Sequence, residues 1–410
     1  MKHELLYQTQ ADFTRAQGNS GNVTSITPGV AYIKEDGTVP HFNKVYDTLT
    51  IVYDVSDVSS PTKLFNAGVI TSDLKEVIID KEYVPVSSIS STYQFNSPGL
   101  HVVMFRYSKI GTIFQTLYTF EGCRDIKSMK IPEGPTLFGV STFKNCSKLE
   151  TLSIPKTTTS FGASSFAGCT SMKKVNIKDF NAFLNIGMAE ASCSFFYEST
   201  GKIYLNGELL TEVIIPDGKT EVKNSLFHNN IGITHVSIPN SVKTIGISTF
   251  NGCKNVTTWD VDFGNLTTIK SHAFRYCKNL PDNLVFTNLT SIGVYSFANT
   301  SIKTVDFPVL PRTPDGDRNS SMFSYCNNLT SITFSENLVY VGRHPFSRNT
   351  STNLNVIFNP TTPPETNTSY PTEWYYGGRV PKFYVPAESL EAYRTAPIWS
   401  NYSSIIYPIE

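Results

Sequence analysis

The chain has 410 residues, and its 34 lysines and arginines balance its 34 aspartates and glutamates, so the formal net charge is zero. This balance argues against a nucleic-acid partner, because such a partner requires a basic face that neutralises phosphates. The sequence has no run of about 18 apolar residues, so no membrane span is predicted.

Residues 1–44 are predicted to be an N-terminal anchoring segment. The opening MKHELLYQTQADF has only two adjacent leucines before polar residues, so it lacks the apolar core of a secretory signal peptide. Two explanations stay open: a signal peptide has been removed, or the protein leaves its cell by another route. Within the segment we predict a short helix over residues 9–17, a joint at residues 18–22 and a hairpin at Asp36–Gly37.

Residues 45–109 alternate between apolar and polar side chains, as in TLTIVYDV and GLHVVMFRY. The alternation and the turn clusters SSPT and NSPG predict about six short strands in a small Ig-like β-sandwich. No motif of chemistry is present. We expect this unit to space and orient the next one, and to cover the apolar edge of its first turn.

Residues 110–365 contain a repeated pattern. Residues 141–162 read STFKNCSKLETLSIPKTTTSFG and residues 225–246 read SLFHNNIGITHVSIPNSVKTIG. The pattern is a phenylalanine, Cys or Asn three residues later, and apolar residues six, nine and eleven later. The phenylalanine recurs at Phe120, Phe143, Phe166, Phe227, Phe250, Phe274, Phe297, Phe323 and Phe346, mostly in steps of 23 or 24 residues. Such a period predicts a solenoid with one short strand per turn, stacked in parallel into a continuous sheet.

The wording FxxC, LxxLxIP and SVxxIG resembles the BspA-like leucine-rich repeats of the Treponema pallidum type. The resemblance covers residues 110–360, and the end of the chain also resembles the terminus of this family. It implies a curved solenoid used for adhesion, and it brings no catalytic residues to this chain. The predicted fold is therefore mainly β: a leucine-rich repeat solenoid with a parallel sheet, preceded by the Ig-like unit.

The N-terminus carries a second resemblance. LLYQTQADF followed by GNVTSITPGVAYI is similar to the opening of surface proteins in phages and prophages of gut Bacteroidales. This resemblance implies that residues 1–44 join the protein to a particle, which would explain the missing signal peptide.

Seven cysteines raise the question of a metal or disulfide site. Six of them lie three residues after a repeat phenylalanine, so they form a column with one member per turn. Zinc requires closely spaced pairs, so no metal site and no cofactor are predicted. We expect the column to be buried. Disulfides between adjacent turns remain an alternative, although Asn230, Thr300 and Asn349 at equivalent places show that the column tolerates gaps.

Two insertions interrupt the repeat. The 61 residues between Phe166 and Phe227 are predicted to hold one enlarged unit with a hairpin that turns at Asn206–Gly207, which is either a contact site or a structural irregularity. The loop at residues 315–326 has carboxylates at calcium-loop spacing. It lacks the glycine and the glutamate that such a loop needs, so it is interpreted as a solvated loop.

The candidate ligand-binding residues fall into two groups. The first group points outward from the sheet and consists of Thr151, Ser153, Lys174, Asn176, His235, Ser237, Thr258, Asp260, Thr304 and Asp306. These short polar side chains suit many weak hydrogen bonds along an extended ligand, and the alternative is a merely solvated face.

The second group lies in the predicted C-terminal cap, residues 366–410, and consists of Tyr370, Trp374, Tyr375 and Tyr376. Their rings either stack on sugars or close the open end of the solenoid. Residues 387–394 are predicted to form a short helix with Leu390 and Tyr393 directed inward, and Trp399 and Tyr402 packed behind it.

The sequence gives little support for catalysis. The seven histidines occupy different repeat positions, and no GxSxG, HExxH or phosphate-loop motif is present. We therefore predict a non-enzymatic protein that binds a cell-surface or mucosal glycan or protein, located on a virion or on the outside of a cell. The first hypothesis is a phage particle component that contacts other virion proteins through its N-terminus. The second is a bacterial surface adhesin, and the third is a divergent glycan-processing enzyme.

Overall fold

The computed structural model describes residues 46–66, 69–110, 113–115, 117–314, 321–367, 374–375 and 379–410, and the backbone of two short strands near the N-terminus. The helix, joint and hairpin predicted within residues 1–44, apart from those two strands, lie outside the described residues. The loop at residues 315–320 lies outside them too.

Within the described residues eight strands precede the repeats, and four of them pair antiparallel in what we call the N-terminal strand group. The bounds are β1 Glu4–Leu5, β2 Ala31–Tyr32, β3 Asp47–Val55, β4 Thr62–Lys63, β5 Leu74–Ile79, β6 Glu82–Val84, β7 Thr92–Tyr93 and β8 Gly99–Tyr107. In the N-terminal strand group, β8 lies between β3 and β5, and β6 is the edge strand. The strands β4 and β7 form a separate ribbon, and β1 pairs with β2.

The repeat turns contribute strands to one side of the coil, where the strands form three separate ladders that together we call the first sheet. The bounds are β9 Ile126–Lys130, β11 Thr151–Ser153, β13 Lys174–Ile177, β15 Lys202–Leu205, β17 Glu212–Ile214, β19 His235–Ile238, β21 Thr258–Val261, β23 Asn283–Val285, β25 Thr304–Phe307, β26 Ser331–Phe334, β28 Asn355–Phe358, β30 Lys382–Val385 and β31 Ile406–Pro408. Side chains alternate between inside and outside along strands such as β13, β19 and β26, where every second residue is buried.

Most turns add a two-residue strand to a second sheet on another side of the coil. The bounds are β10 Leu137–Phe138, β12 Ser160–Phe161, β14 Gly187–Met188, β18 Glu221–Val222, β20 Thr244–Ile245, β22 Thr268–Ile269, β24 Ser291–Ile292, β27 Tyr340–Val341 and β29 Glu365–Thr366. All pairings of these strands are parallel. The molecule is therefore a mainly β solenoid, as the sequence predicts.

The N-terminal strand group differs from the predicted Ig-like sandwich. Its strand β3 pairs antiparallel with β9, with Val52 opposite Ser128, so the group and the first solenoid turns share one nine-stranded sheet. The ribbon β4–β7 packs against this sheet through Phe65, whose ring centroid lies 6.0 Å from that of Phe105. The sequence shows the strands but not this long-range pairing. The expected covering of the first turn is confirmed, because β3 pairs with its open edge.

The repeat phenylalanines form the centre of the solenoid. All nine are at most 2% exposed. Successive rings stack with centroids 5.4–6.0 Å apart, and the planes of Phe227 and Phe250 differ by only 4°. This stacking buries a large apolar surface in every turn and couples each turn to the next.

The cysteine column is buried, and all seven thiols are free. Cys146 Sγ donates to the carbonyl oxygen of Phe120 at 3.1 Å, and the thiols of Cys169, Cys253, Cys277 and Cys326 make the same contact with the phenylalanine of an earlier turn. Asn349 replaces cysteine by donating from Nδ2 to Phe323 O at 3.2 Å. The thiol is thus a second donor to a buried carbonyl that also accepts the backbone N–H three residues later, as Cys123 N donates to Phe120 O at 3.1 Å.

The enlarged unit fills the gap in the phenylalanine column. It contains helix α1, Phe180–Leu184, a 3₁₀ segment, Ala191–Cys193, and the hairpin of β15 with β16, Glu208–Leu209. Phe195 lies 5.0 Å from Phe166, and Phe183 lies 5.8 Å from Phe227. The hairpin turns at Asn206–Gly207, where both residues have positive φ, as predicted.

The C-terminal end closes the solenoid with aromatic residues. The chain forms a 3₁₀ segment, Ala387–Ser389, helix α2, Leu390–Thr395, and a 3₁₀ segment, Trp399–Ile405. Tyr393 is fully buried and meets Trp399 edge to face at 4.7 Å. The predicted helix and its inward residues are confirmed.

Candidate functional site

The outward side chains of the first sheet form the candidate binding surface, which we call the strand face. Parallel pairing places equivalent residues side by side, so Thr151 lies between Ser128 and Lys174, and Ser153 lies between Lys130 and Asn176. The pairing puts the predicted outward residues of each sheet segment into two columns across the turns. This geometry follows from the constant repeat length, which keeps each strand in register with the next.

The strand face is divided into three ladders rather than being one continuous sheet, as the sequence had suggested. The first ladder ends where β16 lies antiparallel on β15, and β17, β19 and β21 form the second. The third runs from β23 to β31, and no ladder joins β21 to β23 within the described part of the chain. Pro281, two residues before β23, has no N–H to donate at this junction. The hairpin and the proline therefore break the surface into shorter platforms.

Polar side chains of neighbouring turns form hydrogen bonds with each other. Asn176 Nδ2 donates to Ser153 Oγ at 3.0 Å, and Thr304 Oγ1 donates to Asn283 Oδ1 at 2.8 Å. Asn283 was missed by sequence analysis because Pro281 and an extra residue shift its turn. These contacts hold the side chains in fixed positions and leave their remaining donors and acceptors directed at solvent.

The charged residues of the strand face are also matched locally. His235 Nε2 lies 2.7 Å from Asp260 Oδ2, and Lys174 Nζ lies 4.0 Å from the ring centroid of Tyr204. Burial raises the pKa of the Asp306 carboxyl from its ordinary value. The Asp260 side chain remains 61% exposed and is the most accessible charge among these contacts. The surface is therefore polar, with little concentrated charge.

Apolar residues border the polar columns at both ends. In the N-terminal strand group Val102 pairs with Val52, and Leu100, two residues before it, is 61% exposed. At the other end Tyr384 and Tyr407 are register partners with ring centroids 5.9 Å apart. Sequence analysis missed both groups, although the period-two pattern of GLHVVMFRY could have indicated the first. A ligand that covers the whole strand face would meet apolar side chains at its two ends.

Of the predicted aromatic group of the cap, the structure describes Trp374 and Tyr375. Trp374 is 1% exposed, and its ring stacks on Tyr402 at 4.6 Å and meets Trp399 at 4.8 Å. It is therefore part of the closing core and cannot stack on a sugar. Tyr375 is half-buried beside Tyr402. Tyr370 and Tyr376 lie outside the described residues.

The described ranges contain no group of three or more His, Cys, Asp or Glu side chains placed to hold a metal ion. None of their helices combines the length and apolar character needed to cross a membrane.

The comparisons with known proteins agree with the repeat geometry. The model of the BspA type leucine rich repeat region matches residues 87–195, 198–312 and 317–367, with six copies. No curated protein sequence matches the chain.

Several solved structures are similar to it. A leucine-rich repeat protein from Bacteroides ovatus is 22% identical over 72% of this chain and 69% of its own, with a TM-score of 0.44. A leucine rich cell surface protein from Faecalibacterium prausnitzii is 19% identical over 65% of this chain and 93% of its own, with a TM-score of 0.26. A leucine rich repeat protein from T. pallidum is 17% identical over 54% of this chain and 76% of its own, with a TM-score of 0.23. Because the family model covers more than half of the sequence, the chain belongs to the BspA-type leucine-rich repeat family.

Proposed function

We propose that this protein is a non-enzymatic surface adhesin whose strand face binds an extended glycan or protein segment. One observation carries the proposal: register pairing places polar side chains of successive turns in columns, as at Ser153 and Asn176. A column repeats similar hydrogen-bonding groups about every 4.8 Å, so it suits a ligand that is itself extended. The weak contribution of each contact is offset by their number.

The arrangement of charge favours binding over catalysis. The histidine–carboxylate contact of the strand face, His235 with Asp260, lies on an open sheet, and no hydroxyl or thiol of the described residues is hydrogen-bonded to it. A catalytic dyad normally lies in a cleft that excludes water and shifts its pKa values. The pair therefore serves better as a polar contact point for a ligand.

The location of the adhesin remains part of the proposal. Membership of a family that includes surface proteins supports a position on the outside of a bacterial cell. The phage-particle version depends on the resemblance of residues 1–44, and contact with other virion proteins would have to use that segment. Capsid or tail genes beside the native gene would favour this version, and an encoded signal peptide upstream would remove it.

Binding can be tested with a glycan array and immobilised mucin. The variants Asn176→Arg and Ser237→Arg place a long charged side chain on two different ladders of the strand face. Each should reduce binding about tenfold or more, because a misplaced side chain prevents the ligand from lying along the column.

The matched control is Ser291→Arg, which makes the same kind of change at an exposed position of the second sheet. This control should bind like the wild type. Equal binding by all three variants, or equal loss in all three, would contradict the assignment of the ligand to the strand face.

A further inference from the structure

A second surface is formed by residues that flank the repeat phenylalanines in the turns around Phe250, Phe274 and Phe297. It consists of Lys254, His272, Arg275, Tyr276 and Tyr295, which we call the edge cluster. The guanidinium of Arg275 lies 4.8 Å from the ring centroid of Tyr276 and 4.7 Å from that of Tyr295. The ammonium of Lys254 lies 5.7 Å from the same Tyr276 ring. Two cations thus share one aromatic group.

Among the described residues, no carboxylate neutralises the positive charge of the edge cluster. Arg275 follows Phe274 directly, and the same repeat position is Glu121 and Lys144 in two earlier turns, where Lys144 Nζ and Glu121 Oε1 form an ion pair at 3.3 Å. The neighbours of Arg275 at this position are Asn251 and Ala298. Within the described ranges, neither Lys254 nor Arg275 forms an ion pair with a carboxylate.

The guanidinium is held in place by neutral groups. Arg275 Nη2 donates to Tyr276 Oη at 3.2 Å, and its Nε is buried without a hydrogen-bond partner. The ring of Tyr295 stacks on His272 at 4.9 Å as well as on the guanidinium. Burial, and then the charge of Arg275, lowers the pKa of His272 to about 4, so this imidazole is neutral at physiological pH. Arg275 is therefore fixed before any ligand arrives.

Tyr276 lies at a turn position whose backbone conformation is unfavourable for a bulky residue. The residue two after each repeat phenylalanine has positive φ, and it is glycine or asparagine at 122, 145, 168, 229, 252 and 299. At Gly252 a Cβ would lie 2.0 Å from Asn229 Oδ1, so a larger residue there would displace this side chain. Tyr276 adopts the same conformation with φ of 64°, where a bulky residue costs about 1 kcal/mol or more. Its ring contributes to the edge cluster rather than to turn stability.

We propose that the edge cluster binds a carboxylate of an acidic polypeptide segment. A guanidinium fixed by aromatic rings presents its remaining donors in the fork geometry that matches a carboxylate, and Lys254 supplies a second charge beside it. The faces of Tyr276 and Tyr295 already contact cations or an imidazole, so they do not offer the free platform that stacking on a sugar requires. This inference does not depend on the proposed role of the strand face.

The test uses the full chain and a fluorescently labelled octaglutamate peptide, with octalysine as the charge control, measured by fluorescence anisotropy. Octaglutamate should bind and octalysine should not. The affinity should fall as salt rises from about 50 to about 200 mM, because the contact is electrostatic. Arg275→Gln should weaken binding about tenfold, and Arg275→Lys should retain part of it because the charge remains.

The matched control is Lys144→Gln, which removes a cation at the repeat position that Arg275 occupies in its own turn. The charge of Lys144 is already neutralised by Glu121. This variant should change the affinity less than about twofold. Lys254→Gln is an exposed second variant, and it should weaken binding even if Arg275→Gln proves unstable. Octaglutamate binding that is unaffected by either cluster variant would overturn the proposal. Binding of a heparin oligosaccharide with no binding of octaglutamate would also overturn it.

Discussion

Replacement of Phe250 by alanine should destabilise the solenoid more strongly than almost any other single truncation. The Phe250 ring is fully buried, and its centroid lies 5.4 Å from that of Phe227 in the turn before and 5.8 Å from that of Phe274 in the turn after. It also meets Trp259 edge to face at 5.5 Å. The truncation therefore removes contacts with three aromatic rings at once.

The expected magnitude is large because the cavity cannot collapse. Backbone hydrogen bonds from Phe227 N to Thr249 O, at 3.1 Å, and from Phe250 N to Ala273 O, at 2.9 Å, fix the adjacent turns. A buried phenylalanine truncated to alanine typically costs about 3–5 kcal/mol, and a site that cannot relax belongs in the upper half of this range. Phe250→Leu, which keeps most of the volume, should cost about 1–2 kcal/mol.

Urea-induced unfolding measures the free energy of unfolding of each variant. The transition is monitored by far-UV circular dichroism and by the fluorescence of the nearby Trp259. Coincidence of the two transitions tests whether one cooperative unit unfolds, which a solenoid need not satisfy. The surface control is Thr258→Ala in the same turn, which should stay within about 0.5 kcal/mol of the wild type. A loss below about 1.5 kcal/mol for Phe250→Ala would refute the stacked column.

Three further predictions concern other parts of the molecule. The seven buried thiols have pKa values raised by burial, so they should not react with a thiol reagent at about pH 8 in the native protein and should all react in denaturant; fast reaction of the native protein would contradict the column. Burial, with contributions from His272 and Arg275, lowers the pKa of His228 from 6.5 to about 4, so the unfolded chain binds more protons between these values. The contribution of the neutral His228 to the free energy of unfolding, roughly 3 kcal/mol, should be complete above about pH 6.5 and be lost as pH falls toward 4. The difference between the stability curves of the wild type and His228→Gln measures it, and parallel curves would show that the imidazole is not buried. Trp374→Ala should lower the free energy of unfolding of the C-terminal cap by about 3–5 kcal/mol and make the cap susceptible to protease. The control is Glu388→Ala at an exposed position. Unchanged protection from protease would place Trp374 outside the core.

Most of the fold could be predicted from the sequence of the repeat. The spacing of the phenylalanines and the alternation around Leu152 predict the coil and its inward residues because both depend on neighbours in the same turn. The hairpin at Asn206–Gly207 was predictable for the same reason. The shared sheet was not, since the pairing of Val52 with Ser128 joins residues far apart in the chain, and local alternation cannot distinguish a sandwich from an extension of the solenoid.

The candidate site was predictable in part. The outward columns follow from strand periodicity, but the burial of Trp374 depends on Trp399 and Tyr402, which lie 25 or more residues later in the chain. The edge cluster was not predicted, because strand periodicity indicates the residues of the sheet and not those of the turns. A signal was present, since Tyr276 occupies a position that is glycine or asparagine in most other turns.

The most direct test of the strand face is a footprint of a bound ligand. Hydroxyl-radical labelling, or hydrogen exchange, would be measured on the protein with and without whichever array component or mucin fraction it binds. The account predicts protection at the outward residues of β11, β13, β19 and β21, including Asn176 and Asp260, with no change on the second sheet at Ser291. Protection confined to the second sheet or to the C-terminal cap would contradict it.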